Sequence, residues 1–295
     1  MPYFSICIPT YNRKKYLKRC LNHLEEQTFK DFEVIIVDDG SVDGTSDYVK
    51  HYRNKSMMNL NYIYKDNGGK YTAMNKGILA ANGKYFIVLD SDDYLSNDAL
   101  KIMHKIAKDN KEKYGVIGKT SDAKGLVIGN EFRKDDSLIS YINFHFEGRK
   151  FGDCCECNLT YLMKESLFPE FYDTKFIPES YIYNQIGLKS KMVTTNKILK
   201  VVAYLPGGIT DSYSNGFEEK NYLGYLLDYV NDINIIFKEK KVGIKYQLII
   251  WLKYWNLKRY DVKNSAPKIQ NISFLGMFAR LVYRFVFKIK NKGSI

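Results

Sequence analysis

Residues 85–93 read Tyr-Phe-Ile-Val-Leu-Asp-Ser-Asp-Asp. Five apolar residues stop abruptly at three carboxylates. An unbroken apolar run of this length, rich in β-branched and aromatic residues, predicts a strand buried on both faces of a parallel sheet. Asp90, Asp92 and Asp93 then fall just past its carboxyl end, where open α/β sheets bind ligands. Clustered carboxylates repel one another unless positive charge sits among them. A divalent cation carrying a diphosphate supplies it, because magnesium and manganese take one or two carboxylates plus phosphate oxygens. An isolated Asp-x-Asp is more often a solvated turn, with Asp93 or Ser96 capping a helix over Ala99 to Ala107.

The surrounding sequence argues against that plain reading. Phe4 to Ile8 and Phe32 to Val37 are further short apolar runs, and Tyr62 to Tyr64 is a shorter one. Between them, Tyr16, Leu17, Cys20, Leu21 and Leu24 recur at helical spacing, Thr45 to Tyr52 reads as helix, and Tyr71 to Ala81 reads as helix stopped by Asn82-Gly83. This alternation predicts an α/β fold with a mainly parallel sheet and flanking helices. Each strand ends in polar residues: Thr10, Asp38 and Asp39, Asp66, then Asp90 and Asp92. Parallel strands bring those ends to one edge.

The second half is less regular. Val116 to Lys119 with Gly125 to Gly129 predicts a hairpin, Ser180 to Lys189 a helix, and Val201 to Leu205 a strand before Pro206-Gly207-Gly208. From about residue 217 the chain reads as helical. The expected organisation is a catalytic unit over 1–216, divided into a nucleotide-binding half (1–115) and an acceptor half (116–216), followed by a basic helical extension (217–295).

At 295 residues the chain can bury one sizeable core. Its formal charge of +12 is uneven. Residues 264–295 hold Lys268, Arg280, Arg284, Lys288, Lys290 and Lys292 and no acid. Ile272, Leu275, Phe278, Val282, Phe285 and Ile289 recur there at threes and fours. A basic amphipathic helix of this kind suits an anionic membrane surface. Lys245 to Tyr260, with Trp251 and Trp255, is expected to add to the same surface. No nucleic-acid-binding module is recognisable, so that partner class is set aside.

Five cysteines, an odd number, form no spaced disulfide framework. The opening residues lack a basic leader and break at Pro9, and no stretch of about 18 uncharged apolar residues occurs. A cytoplasmic protein, peripheral at the inner face of the membrane, is expected. Cys154, Cys155 and Cys157 fit no ordinary zinc spacing and read as part of a half-buried strand or the pocket wall.

Two phosphate-binding classes are absent. No Gly-x-Gly-x-x-Gly follows the first strand. Gly118-Lys119-Thr120 mimics the end of a P-loop, but Lys113 occupies the place of its first glycine.

Four blocks together resemble the GT-A-type family 2 glycosyltransferases: Ser5-Ile-Cys-Ile-Pro-Thr-Tyr-Asn-Arg, Glu33-Val-Ile-Ile-Val-Asp-Asp-Gly-Ser-Val-Asp-Gly-Thr, Asn67-Gly-Gly-Lys-Tyr-Thr-Ala-Met-Asn-Lys-Gly-Ile and Leu89-Asp-Ser-Asp-Asp. They stand in the family's order and cover roughly the first 110 residues. The resemblance implies a nucleotide-sugar donor, UDP-linked by expectation, and a glycan or lipid-linked glycan acceptor in cell-surface polysaccharide synthesis.

It also implies roles. Pro9, Tyr11 and Arg13 would wall the nucleotide, with Tyr11 stacking on the base. Asp39 would accept from the base or ribose, and Lys70 would lie beside the nucleotide. Asn75 would support the donor pocket. Asp90, with Ser91 beside it, would contact the donor ribose or sugar. Asp92 would bind Mn2+ or Mg2+. The acceptor hydroxyl needs a base, and Pro178-Glu179-Ser180 resembles the segment that supplies it in inverting members. Relatives often read Glu-Asp there. Ser180 replaces the second acid, which leaves Glu179, with Asp153 and Glu156 as weaker alternatives. The loop Pro206 to Ser214, through Ser212 or Tyr213, would close over the donor. A sugar-nucleotidyltransferase is an alternative, but Pro-Thr-Tyr-Asn-Arg lacks its glycines. A non-catalytic carbohydrate- or membrane-binding module is the other.

Overall fold

The computed structural model describes residues 1–147, 151–171, 173–203, 216–240 and 242–292. Four strands build the first half: β1 (Phe4–Thr10), β2 (Phe32–Asp38), β3 (Asn59–Tyr64) and β4 (Tyr85–Val88). β1 lies between β2 and β4, β3 lies outside β2, and all three pairings are parallel. β1 and β2 are buried along their full length, as an apolar run covered on both faces requires.

The intervening helices are α1 (Lys14–Glu25), α2 (Thr45–Arg53) and α3 (Lys70–Ala80). The periodicity of α1 turns Leu17, Cys20, Leu21 and Leu24 inward. In α3, Gly77 faces Cys7 so closely that an added Cβ would lie 2.2 Å from its sulfur. Glycine there lets the helix sit tight on the sheet beneath the site.

The second half is mixed rather than parallel. After β5 (Tyr94–Leu95) and α4 (Ala99–Asp109) come β6 (Gly115–Ser121), β7 (Leu138–Ile139), α5 (Tyr141–Glu147), β8 (Cys154–Leu159), α6 (Thr160–Lys164), α7 (Ser180–Lys189) and β9 (Met192–Val201). The strand order is β3-β2-β1-β4-β8-β6-β9-β5, with β7 also on β9. β8 runs antiparallel between β4 and β6, whereas β6 and β9 are parallel.

Two expected elements differ. Gly125 to Gly129 makes only an isolated bridge, Ser121 to Val127, because β6 is already paired on both edges by β8 and β9. The strand expected from Val201 instead ends there, and its Thr- and Lys-containing body carries too few apolar residues to stand out in the sequence. The segment Pro206 to Ser214 lies outside the described residues.

The extension from residue 217 is helical: α8 (Phe217–Lys220), α9 (Tyr222–Asn231), a π-helical turn (Asp232–Ile236), α10 (Phe237–Glu239), α11 (Ile244–Lys258) and α12 (Phe274–Lys292). α9 and the π-helical turn contact α7. Ser180 donates to Asp228 Oδ2 at 2.8 Å, and Asn184 donates to Asp232 Oδ1 at 2.9 Å. Trp251 is buried and Trp255 donates from Nε1 to the Gly276 carbonyl, so the two tryptophans seat α12 instead of joining an outer surface.

Candidate active site

The carboxyl ends of β1, β2 and β4 meet along one edge. Asn12, in the left-handed region at φ 52°, staples two of them together. Its amide nitrogen donates to Ser41 Oγ, and its side-chain oxygen accepts from the Val42 amide. Tyr11 beside it is 48% exposed, free to present its ring. Pro9 is buried in β1 and sets the strand end without projecting from it.

Asp38 and Asp39 divide two jobs. Asp38 accepts from the Ser41 amide and the Tyr62 hydroxyl, which fixes the turn after β2. The Asp39 carboxylate accepts from Lys65 Nζ at 2.6 Å, the Gly68 amide at 2.9 Å and the Gly69 amide at 2.8 Å. It is only 2% exposed and organises the 65–69 loop. That loop delivers Lys70 at the first turn of α3. Gly69 carries φ 96°, and an added Cβ would fall 2.0 Å from the Lys175 carbonyl oxygen, so only glycine fits.

Lys70 is the central cation. Its Nζ lies 2.5 Å from Asp90 Oδ1 and 2.8 Å from Glu179 Oε1. Burial alone would lower the Lys70 pKa, but Asp90 and Glu179 outweigh it and hold the ammonium charged. Burial likewise opposes ionisation of Asp90, and Lys70, Lys200 and Arg13 outweigh it, so Asp90 sits below the usual carboxylate range.

Asp92 behaves differently. Burial and then the neighbouring Asp90 charge raise its pKa, and Arg13 approaches only to 3.8 Å. Arg19 meanwhile donates to the Asp92 carbonyl and fixes the turn. Ser91 is nearly buried inside the same turn. Asp93 faces the other way: its carboxylate accepts from the Ala203 amide, and burial raises its pKa to about 7 against the pull of Lys200. It ties this turn to β9 instead of capping a helix.

Among the described residues, no three His, Cys, Asp or Glu side chains form a protein-only metal cage. A cation that takes one or two carboxylates and completes its shell with phosphate oxygens and water fits the donor set at Asp90 and Asp92. Positive charge there also relieves the repulsion that raises Asp92.

Asn75 stands outside this constellation. Its side chain donates to the Phe168 carbonyl and accepts from the Phe168 amide, at 2.8 and 3.0 Å. With both ends of the amide so engaged, it locks the 168–170 segment onto α3. These bonds give Asn75 a structural role.

Glu179 precedes α7 and reaches the cleft, while Ser180 turns away toward Asp228. The buried Tyr183 hydroxyl faces Glu179 one turn on. Lys70, Asp90 and Glu179 line one side of a cleft of about 380 Å³, and Tyr141, Phe144, Glu156 and Lys200 line the remainder. Lys200 stands 3.2 Å from Asp153 and 4.0 Å from Asp93. Sequence reasoning passed over Lys200 and Arg19. A lysine inside an otherwise apolar strand end was the available signal for Lys200, and the helical spacing of α1 gave none for Arg19. Cys154, Cys155 and Cys157 are buried within β8, and Cys154 also borders the cleft.

The family model for glycosyl transferase family 2 matches residues 5–166, more than half of the chain, and the chain belongs to that family. Over 100 residues it is 39% identical to the poly(ribitol-phosphate) β-N-acetylglucosaminyltransferase TarS of Staphylococcus aureus, covering 33% of this chain and 18% of TarS. Over 160 residues it is 32% identical to the GalNAc(5)-diNAcBac-PP-undecaprenol β-1,3-glucosyltransferase of Campylobacter jejuni, covering 50% of each chain. The chain thus spans half or less of the length of these curated relatives. The fold is shared with S. aureus TarS 1–349 solved in complex with UDP-GlcNAc, at TM-score 0.59 and 20% identity over 97% of this chain and 92% of that one. It is shared too with the mannosyltransferase PcManGT of Pyrobaculum calidifontis in complex with GDP-Man and Mn2+, at TM-score 0.56 and 17% identity, over 98% and 84%.

Proposed function

We propose that this protein is a divalent-metal-dependent, inverting glycosyltransferase. It moves a sugar from a UDP-linked donor to a hydroxyl of a glycan or lipid-linked glycan in cell-surface polysaccharide synthesis. The observation that carries the reading is the Lys70 bridge. Asp90, which we read as the donor-side carboxylate, and Glu179, which we read as the base, share one ammonium beside the carboxyl end of β4.

Tyr11 offers a face for the base, and Arg13 and Lys70 offer cations to the diphosphate. Asp92, with Asp90, would hold Mn2+ or Mg2+; the ion supplies Lewis-acid charge to the leaving diphosphate. Glu179 takes the proton of the acceptor hydroxyl as the oxygen attacks the anomeric carbon from the face opposite the nucleotide. The bond to the nucleotide oxygen breaks as the new glycosidic bond forms, which inverts the centre. The catalytic unit is assigned to residues 1–216.

The C-terminal helix supports a peripheral contact with an anionic membrane surface. Leu275, Gly276 and Ala279 pack inward, whereas Phe274, Met277, Phe278, Leu281 and Phe285 are exposed beside Arg280 and Arg284. Among the described residues, no helix is long and apolar enough to cross a membrane.

Incubation with UDP-, GDP- and CDP-sugars, manganese and a lipid-linked glycan extract tests the reading. Manganese-dependent release of UDP with transfer of the sugar supports it. Absence of turnover with every donor, by folded protein, contradicts it.

A further inference from the structure

The cleft carries more chemistry than transfer needs. In β8, Cys154 and Glu156 point into it, while Cys155 and Cys157 point to the opposite face of the sheet. Both lysines of the cleft are committed: Lys70 to Asp90 and Glu179, Lys200 to Asp153 and Asp93. Among the described residues, no side chain lies within hydrogen-bond or ion-pair distance of the Glu156 carboxyl. A half-buried carboxyl aimed into a cavity with no side-chain partner keeps hydrogen-bonding capacity for a ligand.

We propose that the inner part of this cleft is a specificity subsite for a neutral, hydroxyl-bearing sugar, with the Glu156 carboxyl as the group that hydrogen-bonds it. The assignment rests on the glycosyltransferase reading and deepens it. Burial, then Asp153 and Glu179, push Glu156 up to about 8 against the pull of Lys200. At neutral pH it therefore keeps its proton, donating one hydrogen bond and accepting another, the complement of a sugar hydroxyl. Tyr141, Phe144 and Tyr183 supply apolar surface for the carbon face of a pyranose. With Asp90, Asp153 and Glu179 facing the same space and both lysines already paired, a sugar ring bearing a carboxylate meets like charge and is disfavoured. Glu156 is a recognition group here and Glu179 remains the base.

Two arms locate the sugar. The first is saturation-transfer NMR of methyl N-acetylglucosaminide, methyl glucoside and methyl glucuronide with protein loaded with UDP and manganese. The second is calorimetry of UDP-GlcNAc and UDP-glucose against UDP. Glu156→Ala is expected to weaken binding of the neutral glycosides, or to erase the extra affinity of a UDP-sugar over UDP, by about tenfold. The first result marks an acceptor sugar, the second the donor sugar. Glu156→Gln, a neutral carboxamide of the same shape, is expected to keep most of the affinity, and the glucuronide to bind weakest. UDP affinity in each variant reports an intact site. Unchanged sugar binding in Glu156→Ala, equal loss in Glu156→Gln, or preference for the glucuronide overturns the proposal. Failure of UDP to bind wild-type protein instead removes the glycosyltransferase reading itself.

Discussion

The Lys70 ammonium lies 2.8 Å from Glu179 Oε1 and, on its other side, 2.5 Å from Asp90 Oδ1. One cation thus joins the end of β4 to the start of α7. In the free protein the candidate base is bound to an ammonium. Under the proposed function, a donor diphosphate competes for that ammonium and its binding frees Glu179 for the acceptor. Glu179→Gln should lower kcat by about 10²–10⁴-fold, the usual worth of a general base, with UDP affinity nearly unchanged. Lys70→Met should weaken UDP binding as well as turnover. Steady-state kinetics beside calorimetry separate the two, and a Glu179→Gln enzyme retaining most of its turnover would remove Glu179 from the base role.

Asn75 is assigned to the fold. Asn75→Ala strands the buried Phe168 amide and carbonyl and should cost about 1–3 kcal/mol of stability. Folded Asn75→Ala should bind UDP as the parent does. Chemical denaturation and calorimetry measure both, and a selective loss of UDP affinity at full stability would return Asn75 to the donor site.

Asp228 and Asp232 set a pH dependence of stability. Burial raises Asp228 to about 7, and burial with the neighbouring Asp228 charge also raises Asp232 well above the usual carboxylate range. A carboxyl whose pKa is higher folded than unfolded binds more protons in the folded state, so its contribution falls as pH rises from about 4 through 7. Asp228→Asn should therefore gain thermal stability relative to the parent as pH rises from 5 to 8. Tm against pH for the two proteins tests this; parallel curves would contradict it.

The exposed face of α12 predicts membrane contact. Phe278→Asp with Leu281→Asp should abolish flotation with phosphatidylglycerol vesicles and leave the inward face on Trp251 intact. High salt should weaken parental binding, because basic residues act within a Debye length. Equal binding to neutral vesicles, or none to anionic ones, would contradict it.

β1, β2 and β4 are legible as short apolar runs and α1 as an amphipathic repeat, so local pattern decides them, whereas β3 shows only its apolar end Tyr62 to Tyr64 and α3, buried on nearly every face, is marked chiefly by its Asn82-Gly83 stop. β9 is not: Thr194, Thr195 and Lys197 break its apolar run, and it is held by pairing with β6 and β5. The face of α12 was readable as apolar and basic. Which apolar residues turn inward depends on Trp251 and Trp255, some 20 residues away in sequence. At the site, the strand-end position betrays Asp90 and Asp92, whereas Lys70 and Glu179 open helices and are picked out by the family resemblance of their motifs. Lys200 acquires meaning only when β9 folds beside the donor half, and Glu156, read from the sequence as a weaker candidate base, shows its place in the cleft only once β8 is paired. The motif around Asn75 says that it faces inward, not which backbone it holds.

The central claim is a nucleoside-diphosphate site completed by a metal at Asp92. Calorimetric titration of UDP into the protein, with and without manganese, for the parent and Asp92→Ala, tests it most directly. The account predicts UDP binding that requires manganese and disappears in Asp92→Ala while Tm is preserved. Manganese-independent UDP binding of equal strength in both proteins would contradict the metal role of Asp92, and no binding by the folded parent would contradict the site.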